Sequence, residues 1–244
     1  MYPLLLMKIA FITWNIAGLP HLINFSGTQR QKADAIYEEI DKYLVEDKLV
    51  VVNLQELFDK KLRQQLTNLF RKNNYHYSFH GKKAKSFFGL NSGLMTISNY
   101  PIDEYHFEKY RNSHGEDSFS NKGILYTKIR GFWFVNTHMQ NDNVLIGLKK
   151  SAKAAHINQI NQFGRFYDNL NGSVLYGGDF NVNIATLAKT IPIEHFWSPT
   201  QYTIHKYTPD LTFANFPIKN VKISTENHPQ LSDHRMVILE GVTH

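Results

Sequence analysis

Five short polar motifs, each set at one end of an apolar run, constrain what this chain can fold into: Trp14-Asn15, Gln55-Glu56, Thr137-His138, Gly178-Asp179-Phe180-Asn181 and Ser232-Asp233-His234. The first four follow the runs 9–12, 49–52, 132–135 and 174–176, and the fifth precedes the run 236–239. Apolar runs of this length, bounded by polar residues, read as buried strands. Carboxylates, amides and imidazoles delivered by separate buried strands have the makeup of a hard-metal hydrolytic centre. Mg²⁺ takes a carboxylate or two and leaves positions for water and a phosphate oxygen.

Between the runs lies helical periodicity. Ala33, Ile36, Ile40, Tyr43 and Leu44 share one face over residues 31–45, Leu62, Leu66 and Leu69 mark a second helix over 57–70, and Ala152, Ala155, Ile160 and Phe163 a third over about 148–170. Short β-rich segments fall at 75–79, 93–97, 124–129, 132–136, 174–176, 221–224 and 235–239, with hairpin-like spacing around Gly131. The mixture predicts helices covering mixed, largely antiparallel sheets rather than a doubly wound parallel sheet. No repeat or Pro/Gly/Ser linker interrupts the chain, so residues 1–244 are expected to form one domain.

Net charge is +6, with 27 Lys+Arg against 21 Asp+Glu, which suits an anionic partner, either nucleic acid or an acidic membrane surface. The absence of cysteine excludes a disulfide, a thiolate zinc site and a cysteine nucleophile, and fits a reducing compartment. The longest apolar stretch is far too short to cross a bilayer. Residues 1–6 lack a basic n-region and a small-residue cleavage site, so the expectation is a soluble intracellular protein, with secretion left open for a chain already processed.

Taken singly, each motif has a plainer reading. Asp179 and Asn181 stand two apart after Gly177-Gly178, so an extended segment points both the same way and the glycines let a ligand approach; the same residues also close strands as turns. Glu56 alone reads as an acid at a helix N-terminus, and His138 alone as a hydrogen-bonded core histidine. Asp233 and His234 are neighbours, which point to opposite faces in a strand, so a direct Asp–His couple does not follow. Their ordered co-occurrence outweighs these single readings.

Asn15, Glu56, His138, Asp179-Phe180-Asn181 and Ser232-Asp233-His234, in this order and strand context, resemble the endonuclease/exonuclease/phosphatase superfamily, which includes DNase I, abasic-site endonucleases, inositol-phosphate 5-phosphatases and neutral sphingomyelinases. The resemblance implies a four-layer α/β sandwich (DNase I-like), two mixed, mostly antiparallel sheets flanked by helices, with the site at the sheet edges. Within it, residues 115–129 and Asn136-Thr137-His138-Met139-Gln140 are similar to the stretch leading into the catalytic histidine of bacterial sphingomyelinases, making Asp117 and Asn121 substrate-binding candidates. Two departures stand out. The interval from Asn181 to Ser232 has no long aromatic hairpin for entering a membrane. The family's histidine-orienting Asp, expected in the strand before the last motif, is replaced by Lys219 or Asn220. His234 is therefore expected to be loosely held, or held by a carboxylate from elsewhere.

Chemistry and resemblance together imply Mg²⁺, with Mn²⁺ as a substitute, held by Glu56 with Asn15 and Asp233. Asp179 would orient or deprotonate water, Asn181 and His138 would donate to developing negative charge, and His234 would be either base or phosphate-stabilising cation. Lys60, Lys61, Arg63, Arg71, Lys72, Lys82, Lys83 and Lys85 form an acid-free stretch interleaved with Phe70, Tyr75, Tyr77 and Phe79. Read as a phosphate-tracking surface, with Lys82, Lys83 and Lys85 on substrate, the stretch favours DNA as partner; read plainly, it is a solvated helix face followed by a half-buried strand. A sphingomyelinase-like phospholipase C on a choline-lipid surface is the alternative and an inositol-phosphate phosphatase the third reading. A non-catalytic scaffold is disfavoured, because every core position except the supporting Asp is filled.

Overall fold

The computed structural model describes residues 7–19, 28–45, 47–79, 81–82, 89–142, 149–199, 201–204 and 207–243. In chain order these form β1 (Met7–Asn15), α1 (Gln29–Asp41), β2 (Leu49–Gln55), α2 (Lys60–Lys72), β3 (His76–Phe79), β4 (Met95–Ser98), β5 (Glu104–Lys109), a 3-10 helix (Gly115–Phe119), β6 (Gly123–Ile129) and β7 (Phe132–His138). There follow α3 (Lys149–Asn169), β8 (Val174–Asp179), the single turn α4 (Ile184–Leu187), β9 (His195–Trp197), β10 (Asp210–Ala214), β11 (Lys219–Glu226) and β12 (Met236–Thr243).

Two six-stranded sheets result, in the orders β11-β12-β1-β2-β4-β3 and β5-β6-β7-β8-β10-β9. The two follow one plan. At the centre of each lies a parallel pair, β1 with β2 and β7 with β8, and every other pairing is antiparallel. A parallel pair needs a long crossover, which α1 supplies in the first sheet and α3 in the second. Ligand sites in such sheets form beyond the carboxyl ends of the parallel strands. Those ends carry Asn15, Gln55, His138 and Asp179.

Packing makes four layers. Ala33, Ile36 and Ile40 of α1, with Leu62, Leu66 and Phe70 of α2, cover Ile12, Val50 and Val52 on the outer face of the first sheet. Ile160, Phe163 and Phe166 of α3 cover Val135, Val174 and Tyr176 on the outer face of the second. Between the sheets lie Ile9, Phe11, Leu49, Val51, Phe134, Leu175 and Leu239. The α/β sandwich expected from the sequence is the fold observed.

Local chemistry explains the shifted boundaries. The second helix starts at Lys60 rather than 57, because the Leu57 and Phe58 N–H groups donate to the Gly93 and Gly18 carbonyls while Asp59 caps the helix by accepting from the Leu62 N–H at 2.7 Å. β5, an edge strand of sequence Glu-Tyr-His-Phe-Glu-Lys, carries too much exposed charge to register as a strand in an apolar scan.

Two buried asparagines hold the sheets together. Asn53 Nδ2, from β2, donates across the sandwich to the Val135 carbonyl at 2.9 Å and the Gly177 carbonyl at 3.3 Å. Asn136 Nδ2, from β7, reaches back to the Met95 and Leu54 carbonyls at 2.9 and 3.1 Å. Gln55 Nε2 joins them through Asn136 Oδ1 at 2.8 Å, so this motif residue is structural. Close approach also explains the glycine pair before Asp179: a Cβ on Gly178 would lie 2.1 Å from the Thr137 carbonyl oxygen, and one on Gly177 2.6 Å from the Phe11 ring. The glycines therefore admit neighbouring protein rather than the ligand expected from the sequence.

Candidate active site

Asn15 stands where the sheets meet. Its Nδ2 lies 3.0 Å from Glu56 Oε1 and 3.0 Å from Asp179 Oδ2, joining the first sheet's carboxylate to the second's. Its Oδ1 accepts the Ala17 N–H at 3.1 Å. Glu56 follows β2 in a left-handed conformation, φ 59°, which turns its side chain into the seam. Two carboxylates sharing a single neutral donor leave surplus negative charge and unused oxygen lone pairs. That donor set suits a hard divalent cation held by Glu56, with Asp179 left to face the water beside it. Asn15 Oδ1 keeps a second lone pair beside the Ala17 N–H, which leaves it able to join that cation. Asp233 is exposed; its charge reaches His234 and Lys32.

Serine, tryptophan and histidine lock the last motif to the first. Ser232 Oγ donates to the Asn15 carbonyl at 2.6 Å and accepts the His234 N–H at 3.0 Å, while Trp14 Nε1 donates to the His234 carbonyl at 3.2 Å. His234 then points Nε2 toward Asp179 Oδ2, 3.9 Å away, and Nδ1 toward Asp210 Oδ2, 2.9 Å away. Asp210 is the carboxylate from elsewhere. It opens β10, which runs antiparallel to β8, so its register partner is Asp179 itself.

Asp210 escapes a reading of apolar runs to their ends, because an antiparallel neighbour presents its beginning to the same edge. The signal was an Asp directly before the short run Leu211-Thr212-Phe213-Ala214. Burial opposes a charge on His234, but Asp210, through both its charge and its hydrogen bond, outweighs burial with help from Asp179 and Asp233 and raises the imidazole to about 10. Burial and then the Asp210 charge raise Asp179, against the opposing pull of His234, Asn15 and Lys122, to about 6. At neutral pH His234 is thus a cation beside an ionised Asp179.

His138 ends β7 with Nε2 3.7 Å from Asp179 Oδ2 and 3.9 Å from Glu56 Oε1. Burial first, then the charges of Lys122 and His234, hold it well below the usual imidazole value, so it is neutral. Lys122 Nζ lies 2.9 Å from His138 Nε2, which makes Nε2 the acceptor and puts the ring proton on Nδ1. The same ammonium donates to the Met139 carbonyl at 3.0 Å and pairs with Asp117 Oδ1 at 2.6 Å. Asn181, at φ 53°, donates from its backbone N–H to Asp179 Oδ1 at 3.0 Å and from Nδ2 to the Met139 carbonyl at 3.2 Å.

The remaining candidates sit one step back. Asp117 Oδ2 accepts the Asn141 N–H, and buried Asn121 donates to the Lys82 carbonyl at 3.1 Å, so both brace the stretch before β6. Lys82 is exposed, and Lys83 and Lys85 lie outside the described residues. Lys122 falls within the stretch 115–129, where a lysine immediately before a buried strand is its only mark in the sequence. Replacing it with Met should cost about 3 kcal/mol, because Asp117 keeps its charge and loses its partner, and should lower turnover by unseating His138. Urea unfolding measures the first effect. An unchanged midpoint would show that Asp117 and His138 are held without the ammonium.

Known proteins resemble this chain in sequence and in fold. Sphingomyelinase C of Bacillus cereus is 30% identical over 175 residues, which cover 64% of this chain and 51% of the relative, so the chain spans about half that protein's length. The structure of sphingomyelinase C from Streptomyces griseocarneus superposes with a TM-score of 0.76 at 18% identity, covering 96% of this chain and 99% of that one. A Staphylococcus aureus beta toxin structure with bound magnesium ions gives 0.75 at 19%, covering 94% and 98%. The model of the Endonuclease/Exonuclease/phosphatase family matches residues 12–234, from β1 to the histidine that Asp210 holds, and to that family the chain belongs.

Proposed function

We propose that the protein is a divalent-metal-dependent phosphodiesterase of the phospholipase C kind, hydrolysing a choline phospholipid such as sphingomyelin between its lipid alcohol and its phosphoryl group. The observation that carries the substrate class is the Asp117–Lys122–His138 chain. The stretch most similar to bacterial sphingomyelinases is wired into the site by the 2.6 and 2.9 Å contacts of one buried ammonium. The Bacillus cereus relative bears the same name.

A bound Mg²⁺, which the Glu56 carboxylate would hold and which the beta toxin's magnesium supports, would polarise a phosphoryl oxygen. The chain's own groups do the rest. Asp179, ionised at neutral pH, accepts the proton of the attacking water. The His234 cation across from it offers its Nε2–H to the developing negative charge. Neutral His138, its tautomer set by Lys122, stands beside Asp179 without adding charge.

The cationic stretch supports DNA less well than its composition suggested. Tyr75, Tyr77 and Phe79 pack on the core beneath α2, Arg63 stacks on Phe79 with 4.4 Å to the ring centroid, and Arg71 lies over Tyr77. Such rings are occupied. Moreover α2 begins beside Glu56 and spans roughly 20 Å, which carries Arg71 and Lys72 away from the site.

Purified protein with Mg²⁺ should therefore release phosphocholine from sphingomyelin vesicles and leave plain and abasic duplex DNA intact. Cleavage of either duplex with the vesicles untouched would overturn the lipid reading and return the substrate to nucleic acid.

A further inference from the structure

A second cluster of ligand atoms lies outside this site. Glu39 of α1, Glu226 at the end of β11 and His228 just beyond it bring one carboxylate oxygen each and the ring Nε2 within 4.8 Å of one another. His228 Nε2 is 3.2 Å from Glu226 Oε2 and 3.8 Å from Glu39 Oε2. All three residues are partly buried.

We propose that Glu39, Glu226 and His228 form a site for a first-row divalent ion, Zn²⁺, separate from the catalytic centre. A tetrahedral zinc with N and O bonds of about 2.1 Å holds its donors roughly 3.4 Å apart, so the observed spacings need only small rotations about side-chain bonds. Zinc takes imidazole with carboxylate readily, whereas Mg²⁺ prefers oxygen alone and keeps its waters. A fourth position remains for water.

Second contacts aim the donors. Tyr43 donates its hydroxyl to Glu226 Oε1, which turns Oε2 toward His228. Lys42 pairs with Glu39 across one helical turn, and its ammonium is the group zinc must displace. That pair is largely exposed on the lysine side, and solvated i,i+3 pairs are weak.

The site also touches the catalytic motif through the backbone. The His228 carbonyl accepts the Leu231 and Ser232 N–H groups at 2.8 and 3.0 Å, and the Trp14 ring lies 5.5 Å from the His228 ring. Zinc here would tie α1 to the turn that delivers Ser232 and His234, in the manner of a structural cross-link.

The test uses Glu56→Gln protein, so that the active-site carboxylate is quiet, dialysed against Zn²⁺ or Mg²⁺ and assayed for bound metal and thermal midpoint. This protein should hold one more zinc per chain than the same protein carrying His228→Ala or Glu226→Gln, and Mg²⁺ should not replace it. Zinc at a hundred times its dissociation constant should raise the midpoint by roughly 5–10 °C in the first protein only. Glu226→Gln is isosteric and keeps an acceptor for Tyr43, so it tests the site even if His228→Ala fails to fold. Equal zinc content in all three proteins, or zinc binding in none, overturns the proposal.

Discussion

Asp210→Asn is expected to lower turnover at pH 7.5 by a hundred-fold or more while leaving substrate affinity nearly unchanged. The asparagine still fills the space 2.9 Å from His234 Nδ1, but it removes the charge that raises the imidazole to about 10. His234 then falls back toward its ordinary value near 6.5 and is largely neutral above it, so the cation facing Asp179 is lost. The sign of the pH response follows. Lowering the pH toward 6 restores the imidazolium, and the variant should recover part of its rate there. Removing the Asp210 charge lowers Asp179, while a neutral His234 no longer pulls it down, so the two changes oppose each other at that carboxylate. A pH–rate profile of wild type and variant decides the matter: a deficit that stays constant from pH 6 to 8 would show that Asp210 acts on position alone.

Glu56→Gln should abolish most turnover and weaken metal binding without lowering the thermal midpoint. Glu56 and Asp179 both lean on the single Asn15 Nδ2, so neutralising one of them relieves repulsion in the metal-free chain. Its side chain is about one-fifth exposed, and the amide can still accept from Asn15. Excess chelator should reduce the wild type to the same level. Calorimetric titration with Mg²⁺ measures the affinity loss; full activity in a folded Glu56→Gln protein would remove this carboxylate from the metal's coordination.

These expectations show which parts of the molecule were legible beforehand. The strands that build the site are buried on both faces, so β1, β2, β7 and β8 stand out as apolar runs with polar residues at their carboxyl ends. Parallel pairs at the centre of both sheets make that reading work. It fails at β10, where an antiparallel strand offers its first residue, and Asp210 went unseen. It fails again at Tyr77 and Phe79, because an aromatic beside cations looks the same whether it faces solvent or packs on a core; here β3 pairs with β4 and the rings turn inward. Lys122 shows a third limit: a buried ammonium is defined by Asp117 on one side and by His138 and Met139 of another segment, and no local pattern announces that.

The reciprocal asparagines have a consequence for how the protein ages and fails. Asn53 and Asn136 each satisfy two carbonyls on the facing sheet, and losing either would strand those carbonyls in a dry interior. The catalytic groups are divided between the two sheets, so shear between them would dismantle the site before any strand frayed. With the clasp in place that shear has no low-energy route. Heat inactivation and global unfolding should then be one event with one rate, and the enzyme should pass from fully active to fully lost without an inactive, folded stage between.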